Sequence, residues 1–190
     1  MRNKLIFIVV PVILIVIVTV LLLFGGIFKE QAELKRFPIK YSEIVEAAAD
    51  RHGVPSEMVY AVIYTESNFR EDAVSRVGAK GLMQLIDETN EWIAFVRGEE
   101  VMAERLFEPE FNIDRGTWLL SYLHEKYGTW REALAAYNAG IGRVNSWLSD
   151  PTISSDGVIL DYIPFDETSA YVTKVMNAAE KYRELYFVFE

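Results

Sequence analysis

The sequence predicts a mostly α-helical domain set behind one N-terminal membrane-spanning helix. Three observations lead there. Leu5–Phe24 is a 20-residue apolar run without a charge, about 30 Å long as a helix and so matched to the hydrocarbon of a bilayer. Beyond it, apolar residues recur at helical spacing between Gly, Pro and capping signals. No run of alternating polar and apolar residues reads as a set of strands, and no internal repeat is present.

Residues 1–28 read as the anchor, 29–40 as a short tether and 41–190 as the domain. A cleaved signal peptide is the rival for the first segment, but its apolar region is usually ~7–15 residues and no small-x-small site follows Phe24. Pro11 is tolerated near one end of the span, where few carbonyls lose a partner. Arg2 and Lys4 precede the run whereas Lys29, Lys35, Arg36 and Lys40 follow it. A large following domain crosses largely regardless of such charges, so the N-terminus is placed inside and the domain outside the cell. Leu34, Phe37 and Ile39 among the tether's charges argue against a flexible stalk.

Within the domain, Ser42 opens a helix whose Ile44, Val45 and Ala48 share a face, and Gly53 closes it. Pro55-Ser56 starts the next helix. Ser75–Gly81 is a turn, followed by short helical pieces around Leu82, Met83 and Leu85 and then Trp92, Ile93 and Val96. Pro109 opens a longer helix through Lys126, with Ile113, Gly116, Leu120 and Leu123 on one side. Thr129 and Glu132 form a capping box that starts a helix running to Tyr137. Gly140 and Gly142 break it, a brief helix covers Val144–Leu148, and 149–166 is an irregular loop. The last helix runs from Asp166 to about Tyr186, with Tyr171, Val172, Val175, Met176 and Ala179 as its apolar face.

Composition excludes several classes of function. The whole chain carries −9; removing Arg2 and Lys4 from the 19 Lys+Arg leaves 17 against 28 Asp+Glu, a formal −11 for 29–190. Such a surface does not suit nucleic acid or anionic lipid. Cysteine is absent, which removes disulfides, thiolate metal sites, thiol nucleophiles and lipidated cysteine. His52 and His124 stand apart and read as lone surface histidines, so no metal site is expected.

Glu66 is the residue that asks for a chemical explanation. Val59, Val62, Ile63 and Glu66 fall at i, i+3, i+4 and i+7, which puts a carboxylate on the stripe facing the core. An ionised carboxylate there loses hydration and its pKa rises, as a general acid requires. The alternative is a helix-end glutamate that reaches solvent or pairs with an arginine.

Four segments decide between these. Glu66–Phe69 (ESNF), Ser75–Leu85 (SRVGAKGLMQL), Ala136–Val144 (AYNAGIGRV) and Ile163–Val172 (IPFDETSAYV) set polar groups beside glycine turns and helix ends. In this order and spacing they resemble the lytic transglycosylases of the soluble type, over about Tyr41–Tyr182. The resemblance implies a lysozyme-like helical catalytic domain. It makes Glu66 the catalytic acid/base and Ser67 a support for its geometry, with Ser75 and Gln84 lining the cleft. Tyr137 and Asn138 would lie beside the scissile bond, and Glu167 and Tyr171 would close the groove. The implied substrate is the glycan strand of peptidoglycan, cut without a metal or organic cofactor. A wall-remodelling or secretion complex is a further conceivable partner. Residue by residue, other roles remain: Ser75 turning the chain, Gln84 capping a helix, Tyr137 packing in the core, Glu167 complementing a helix dipole. The chain departs from the family pattern after Gln84-Leu85-Ile86, where Asp87-Glu88-Thr89-Asn90 replace the usual proline and small residues and Ile86 stands where methionine is common.

Overall fold

The computed structural model describes residues 20–21, 24–26 and 28–187. The chain divides between Pro38 and Ile39. In the first part the backbone over 28–36 is helical (α1), so most of the charged tether is ordered as a helix. Among the described residues no helix is long and apolar enough to cross a membrane; the proposed span Leu5–Phe24 lies almost wholly outside them.

The second part is helical throughout its regular structure: α2 (Ser42–His52), α3 (Ser56–Glu66), α4 (Asp87–Arg97), a short 3-10 helix (Ala103–Phe107), α5 (Pro109–Tyr127), α6 (Trp130–Ala139), α7 (Ile141–Leu148) and α8 (Asp166–Tyr182). A π-helical turn, Arg183–Phe187, follows α8. Among the described residues the only sheet-like features are two isolated bridges, Val74 with Lys80 and Lys80 with Leu85.

α3 is the centre of the core. Met58 to Ile63 are all buried, so the helix is apolar all round rather than along one stripe, as a helix packed on every side must be. α8 lies along it, α2 flanks it, and α6 bridges α8 and α5. Tyr60 of α3 stacks on Tyr182 of α8 with ring centroids 5.4 Å apart. Gly116 lets α5 come close to the segment before α4, because a Cβ there would fall 2.4 Å from the Met83 Sδ.

The starts of α5 and α6 follow from local chemistry. Pro109 occupies the first turn of α5, where its missing N–H costs nothing. The Thr129 side chain accepts from the Glu132 backbone N–H and its hydroxyl bonds the Glu132 carboxylate. Glu132 is only 1 % exposed, and its other oxygen accepts from Arg131 (2.7 Å) and from the Leu160 N–H (3.3 Å). The capping box thereby also pins the irregular segment 149–165.

Several sequence expectations are corrected. Leu82–Leu85 form a turn rather than a helical piece, because the N–H of Leu85 and the carbonyl of Lys80 pair across it (3.1 Å). Gly142 lies inside α7, and Gly140 alone separates α6 from α7. Met176 is 40 % exposed, and Ala178 and Tyr182 take its place on the buried face of α8. Neither histidine is a lone surface residue: His52 bonds Asp114 at 2.8 Å and His124 stacks on Trp130 with centroids 4.0 Å apart. Asp114 also binds Arg51 (2.6 Å) and Arg97 (2.9 Å), tying α2, α4 and α5 together at one carboxylate.

Candidate active site

Glu66 is the last residue of α3. The chain turns sharply there: Asn68 and Phe69 both take positive φ (51° and 60°), and Phe69 is buried beside Tyr60. The carboxyl therefore leaves the core at the point where the helix stops, facing a cleft of about 390 Å³. Ser67 is buried, and its hydroxyl donates to the Ile63 carbonyl (3.2 Å). It holds the helix end that carries Glu66 and makes no hydrogen bond to the carboxyl.

One wall of the cleft is the irregular segment 73–86, held in place by Asn112. That side chain is fully buried; its Oδ1 accepts from the Met83 N–H (2.7 Å) and its Nδ2 donates to the carbonyls of Lys80 (3.0 Å) and Leu106 (2.8 Å). Gly81 approaches so closely, at φ 75°, that a Cβ would meet the Leu106 oxygen at 2.3 Å. Lys80 reaches forward to both oxygens of Asp87 at the start of α4 (2.6 and 2.8 Å). Asp87, one of the departures from the family pattern, thus fastens the wall to the next helix.

On this wall Ser75 accepts from the N–H groups of Val77 (3.3 Å) and Ala79 (3.0 Å). It both turns the chain and lines the cleft. Gln84, with φ 50°, donates its amide to the carbonyls of Ala73 (3.1 Å) and Gly81 (2.9 Å). It caps no helix; it fixes the loop and lines the cleft.

The opposite wall comes from α6 and α8. Tyr137 donates to the Met83 carbonyl at 2.8 Å, joining the two walls. Asn138 is exposed, and its Oδ1 accepts from Thr168 (2.8 Å). Glu167 is exposed on the rim. One helical turn further, the Tyr171 hydroxyl is buried and meets hydrogen-bond geometry with no partner, yet it is close enough to favour the ionised form of Glu66. Glu66, Ser75, Gln84, Tyr137, Asn138 and Glu167 line one cleft; Ser67 and Tyr171 stand behind it.

Burial pushes the Glu66 carboxyl from 4.5 up to about 7, against the opposing influence of Tyr171 and of the Lys174 ammonium. Lys174 lies at the same helix end, with its Nζ 3.5 Å from the Thr65 carbonyl. Burial, and then the charge of Glu66, push both Tyr137 and Tyr171 well above the usual tyrosine range. The site therefore pairs a carboxyl that changes protonation near neutrality with two hydroxyls that remain donors. Among the described residues no group of three or more His, Asp or Glu side chains is placed to hold a metal ion.

Sequence reasoning did not single out Thr168, Lys174 or Asn112. Asn112 carried a readable signal, since it falls four residues before Gly116 on the buried side of α5.

A desolvated glutamate at a helix end, in a cleft of amides and hydroxyls, is the arrangement that proton transfer by a single carboxyl requires. The family description "Transglycosylase SLT domain" matches residues 43–157, and the chain belongs to that family. It is 34% identical over 153 residues to the soluble lytic murein transglycosylase of Escherichia coli K12, covering 78% of this chain and 24% of that one. It is 33% identical over 167 residues to the membrane-bound lytic murein transglycosylase C of Pectobacterium atrosepticum, covering 76% and 47%. Among solved structures, the 70 kDa soluble lytic transglycosylase of E. coli superposes with a TM-score of 0.70 at 30% identity, over 83% of this chain and 26% of that one. An inactive mutant of lytic transglycosylase Slt from Pseudomonas aeruginosa gives 0.66 at 34% identity, over 78% and 25%. The chain thus spans about a quarter of the length of the soluble relatives it matches.

Proposed function

We propose that this chain is a membrane-anchored peptidoglycan lytic transglycosylase that cleaves the β-1,4 bond between N-acetylmuramic acid and N-acetylglucosamine and leaves a 1,6-anhydromuramyl end. The observation that carries this reading is the Glu66 carboxyl, raised by burial to about 7 in a cleft it shares with Gln84 and Tyr137.

Protonated Glu66 donates to the bridging oxygen as the glycosidic bond breaks, and the leaving sugar departs as an alcohol. Positive character develops at the muramyl anomeric carbon, where the substrate's own acetamido oxygen can share it. Glu66, now ionised, accepts the proton of the muramyl C6 hydroxyl as that oxygen attacks the anomeric carbon. The ring closes, the carboxyl is protonated again, and no water is consumed. Tyr171 and Lys174 favour the ionised carboxylate, the form that must exist between the two transfers. One carboxyl suffices because the nucleophile is already attached to the substrate and has a large effective molarity. Ordinary glycosidases, which use water or a covalent intermediate, need a second carboxylate.

The apolar run Leu5–Phe24 supplies the membrane anchor in this reading, with the domain on the extracytoplasmic face. Support comes from its length and from relatives whose name includes "membrane-bound". Tethering raises the local concentration of enzyme at its wall substrate, which suits a domain with no net positive charge to hold it there.

The test is mass spectrometry of purified sacculi digested by the full chain in detergent, with Glu66→Gln alongside. Anhydromuramyl ends are expected from the first, with their release about a hundredfold slower or more from the second. Reducing muramyl ends in an active digest would instead mean a hydrolase of the goose-type-lysozyme kind. Binding without turnover by both proteins would mean a wall-binding scaffold.

A further inference from the structure

α4 is apolar on two sides. Asn90, Ile93 and Ala94 are the residues it buries against the core. Glu88, Glu91, Trp92, Phe95 and Val96 are related by steps of three and four residues and share the other half of the helix. Trp92 turns in, its ring 5.1 Å from Tyr122 and 6.0 Å from Trp118. Phe95 is 83 % exposed, the highest value among the large apolar residues described. Val96 is 44 % exposed, and Val101, just beyond the end of the helix, is 51 % exposed. Neither Phe95 nor Val96 lines the cleft. A helix with apolar residues all round is ordinarily covered all round, and an apolar patch rimmed by polar groups marks a surface that meets another molecule.

The charges around the patch select that molecule. Residues 87–110 hold eight Asp+Glu and two Lys+Arg, a formal −6, which is more than half of the −11 of residues 29–190. Both cations are already engaged, Arg97 with Glu99 (2.7 Å) and Asp114 (2.9 Å), and Arg105 with Glu108 (2.8 Å). Glu88, Glu91 and Glu100 are exposed and make no ion pair among the described residues. A second copy laid face to face would bring these carboxylates against their own counterparts. The anionic headgroups of a membrane would meet the same repulsion. A helix with an apolar stripe and basic flanks fits both features: its apolar side chains cover Phe95 and Val96, and its cations reach the glutamates.

We propose that the outer face of α4, centred on Phe95 and Val96, docks a basic amphipathic helix of a partner protein. The proposal is independent of the reaction at Glu66. Phe95 is the anchor that loses water on docking, while Glu91, one turn before it, and Glu100, beyond Gly98, set orientation and association rate.

The probe is a synthetic amphipathic helix of leucine and lysine about four turns long, with one leucine replaced by photoreactive benzoylphenylalanine. The target is the full chain in phosphatidylcholine nanodiscs, with empty nanodiscs as the blank. Binding is read by fluorescence anisotropy of the labelled peptide, and the contact by mass spectrometry of the crosslinked product. Crosslinks are expected within residues 88–101. Phe95→Gln should weaken binding about tenfold or more, and Glu91→Gln about threefold with a shallower dependence on salt. Both positions are exposed, so neither change should move the melting temperature. Because the chain has no cysteine, Phe95→Cys takes a single polarity-sensitive bimane label, whose emission should report water before peptide is added. Emission already blue-shifted at that point would mean that lipid or a second copy covers the face, and would overturn the proposal. Crosslinks in the cleft or scattered over the surface, affinity unchanged in Phe95→Gln, or equal binding of a peptide with glutamate in place of lysine would overturn it as well.

Discussion

The charge of Glu66 should be measurable as a pH-dependent cost to the fold, separately from any turnover. Its carboxyl rises from 4.5 in an ordinary setting to about 7 here. Between those values the folded protein holds a proton that the unfolded chain has released, so stability falls as pH rises through the window and is level on either side. Each pKa unit corresponds to about 1.4 kcal/mol. The full difference is therefore about 3 kcal/mol, and closer to 2 where cleft water relieves the charge. Glu66→Gln keeps the size and the polar end but cannot ionise. It should match the original chain at pH 4 and exceed it by about 2–3 kcal/mol at pH 8. Urea denaturation of both proteins at pH 4, 5.5, 7 and 8.5 reads the gap directly, because every other titrating group is common to both and cancels. A gap that is flat with pH, or that favours the glutamate at pH 8, would refute the desolvation on which the proposed general-acid role depends. Activity offers a cross-check, since the alkaline limb of kcat/KM should fall near the same value of about 7.

Tyr171→Phe removes a hydroxyl that favours ionised Glu66, so the alkaline limb of the pH–rate profile should move upward; a downward move would contradict the assignment. Asn112→Leu leaves the Met83 N–H and the Leu106 carbonyl buried without their partner, at about 1–3 kcal/mol for each group. A total of about 2–6 kcal/mol should appear in urea melts, and activity should drop as well, because the Met83 carbonyl holds Tyr137. Asp114, drawn well below the usual carboxylate range by His52, Arg97 and Arg51, should lose its contribution only in strong acid, as pH falls below the ordinary 3.8 and through its lowered value. Asp114→Asn should therefore be less stable by about 1–3 kcal/mol at pH 7, with the gap closing toward pH 2 in the same melts.

Where the sequence was legible, the signal was local. Pro55, Gly53, Pro109 and the Thr129–Glu132 pair mark helix ends because capping is decided within four residues. Glu66 stood out by spacing alone, since its helix buries every preceding turn. The misreadings are tertiary in origin. Leu82–Leu85 have helical composition, but Asn112, 29 residues from Met83, supplies the partner that fixes them as a turn. His52 looked isolated because its carboxylate is 62 residues away. The groups that oppose the burial-driven rise of the Glu66 pKa, Tyr171 and Lys174, come from a helix more than a hundred residues later, and the pairing of Thr168 with Asn138 spans 30 residues. Spacing within one helix cannot announce such partners.

Among the described residues only Tyr41, Asn68, Phe69 and Gln84 have positive φ without being glycine; Gln84 lines the cleft, and Asn68 and Phe69 lie two and three residues after Glu66. A left-handed backbone at such residues costs on the order of 1 kcal/mol or more each and persists only where the surroundings dictate it. Asn68 and Phe69 reverse the chain immediately after Glu66, which stops α3 with the carboxyl at its mouth rather than one turn deeper. Gln84 bends the wall formed by segment 73–86, held by two hydrogen bonds from its side-chain amide to carbonyls of its own loop. Relaxing either bend would favour a longer helix or an extended loop, and either change would close the gap between Glu66 and Gln84 or widen it. The strain lies on the two segments that carry Glu66 and Gln84 to one cleft. The buried Phe69 ring and the Asn112 bonds oppose its release, so the packing that stabilises the core also keeps the acid and the amide at a fixed separation.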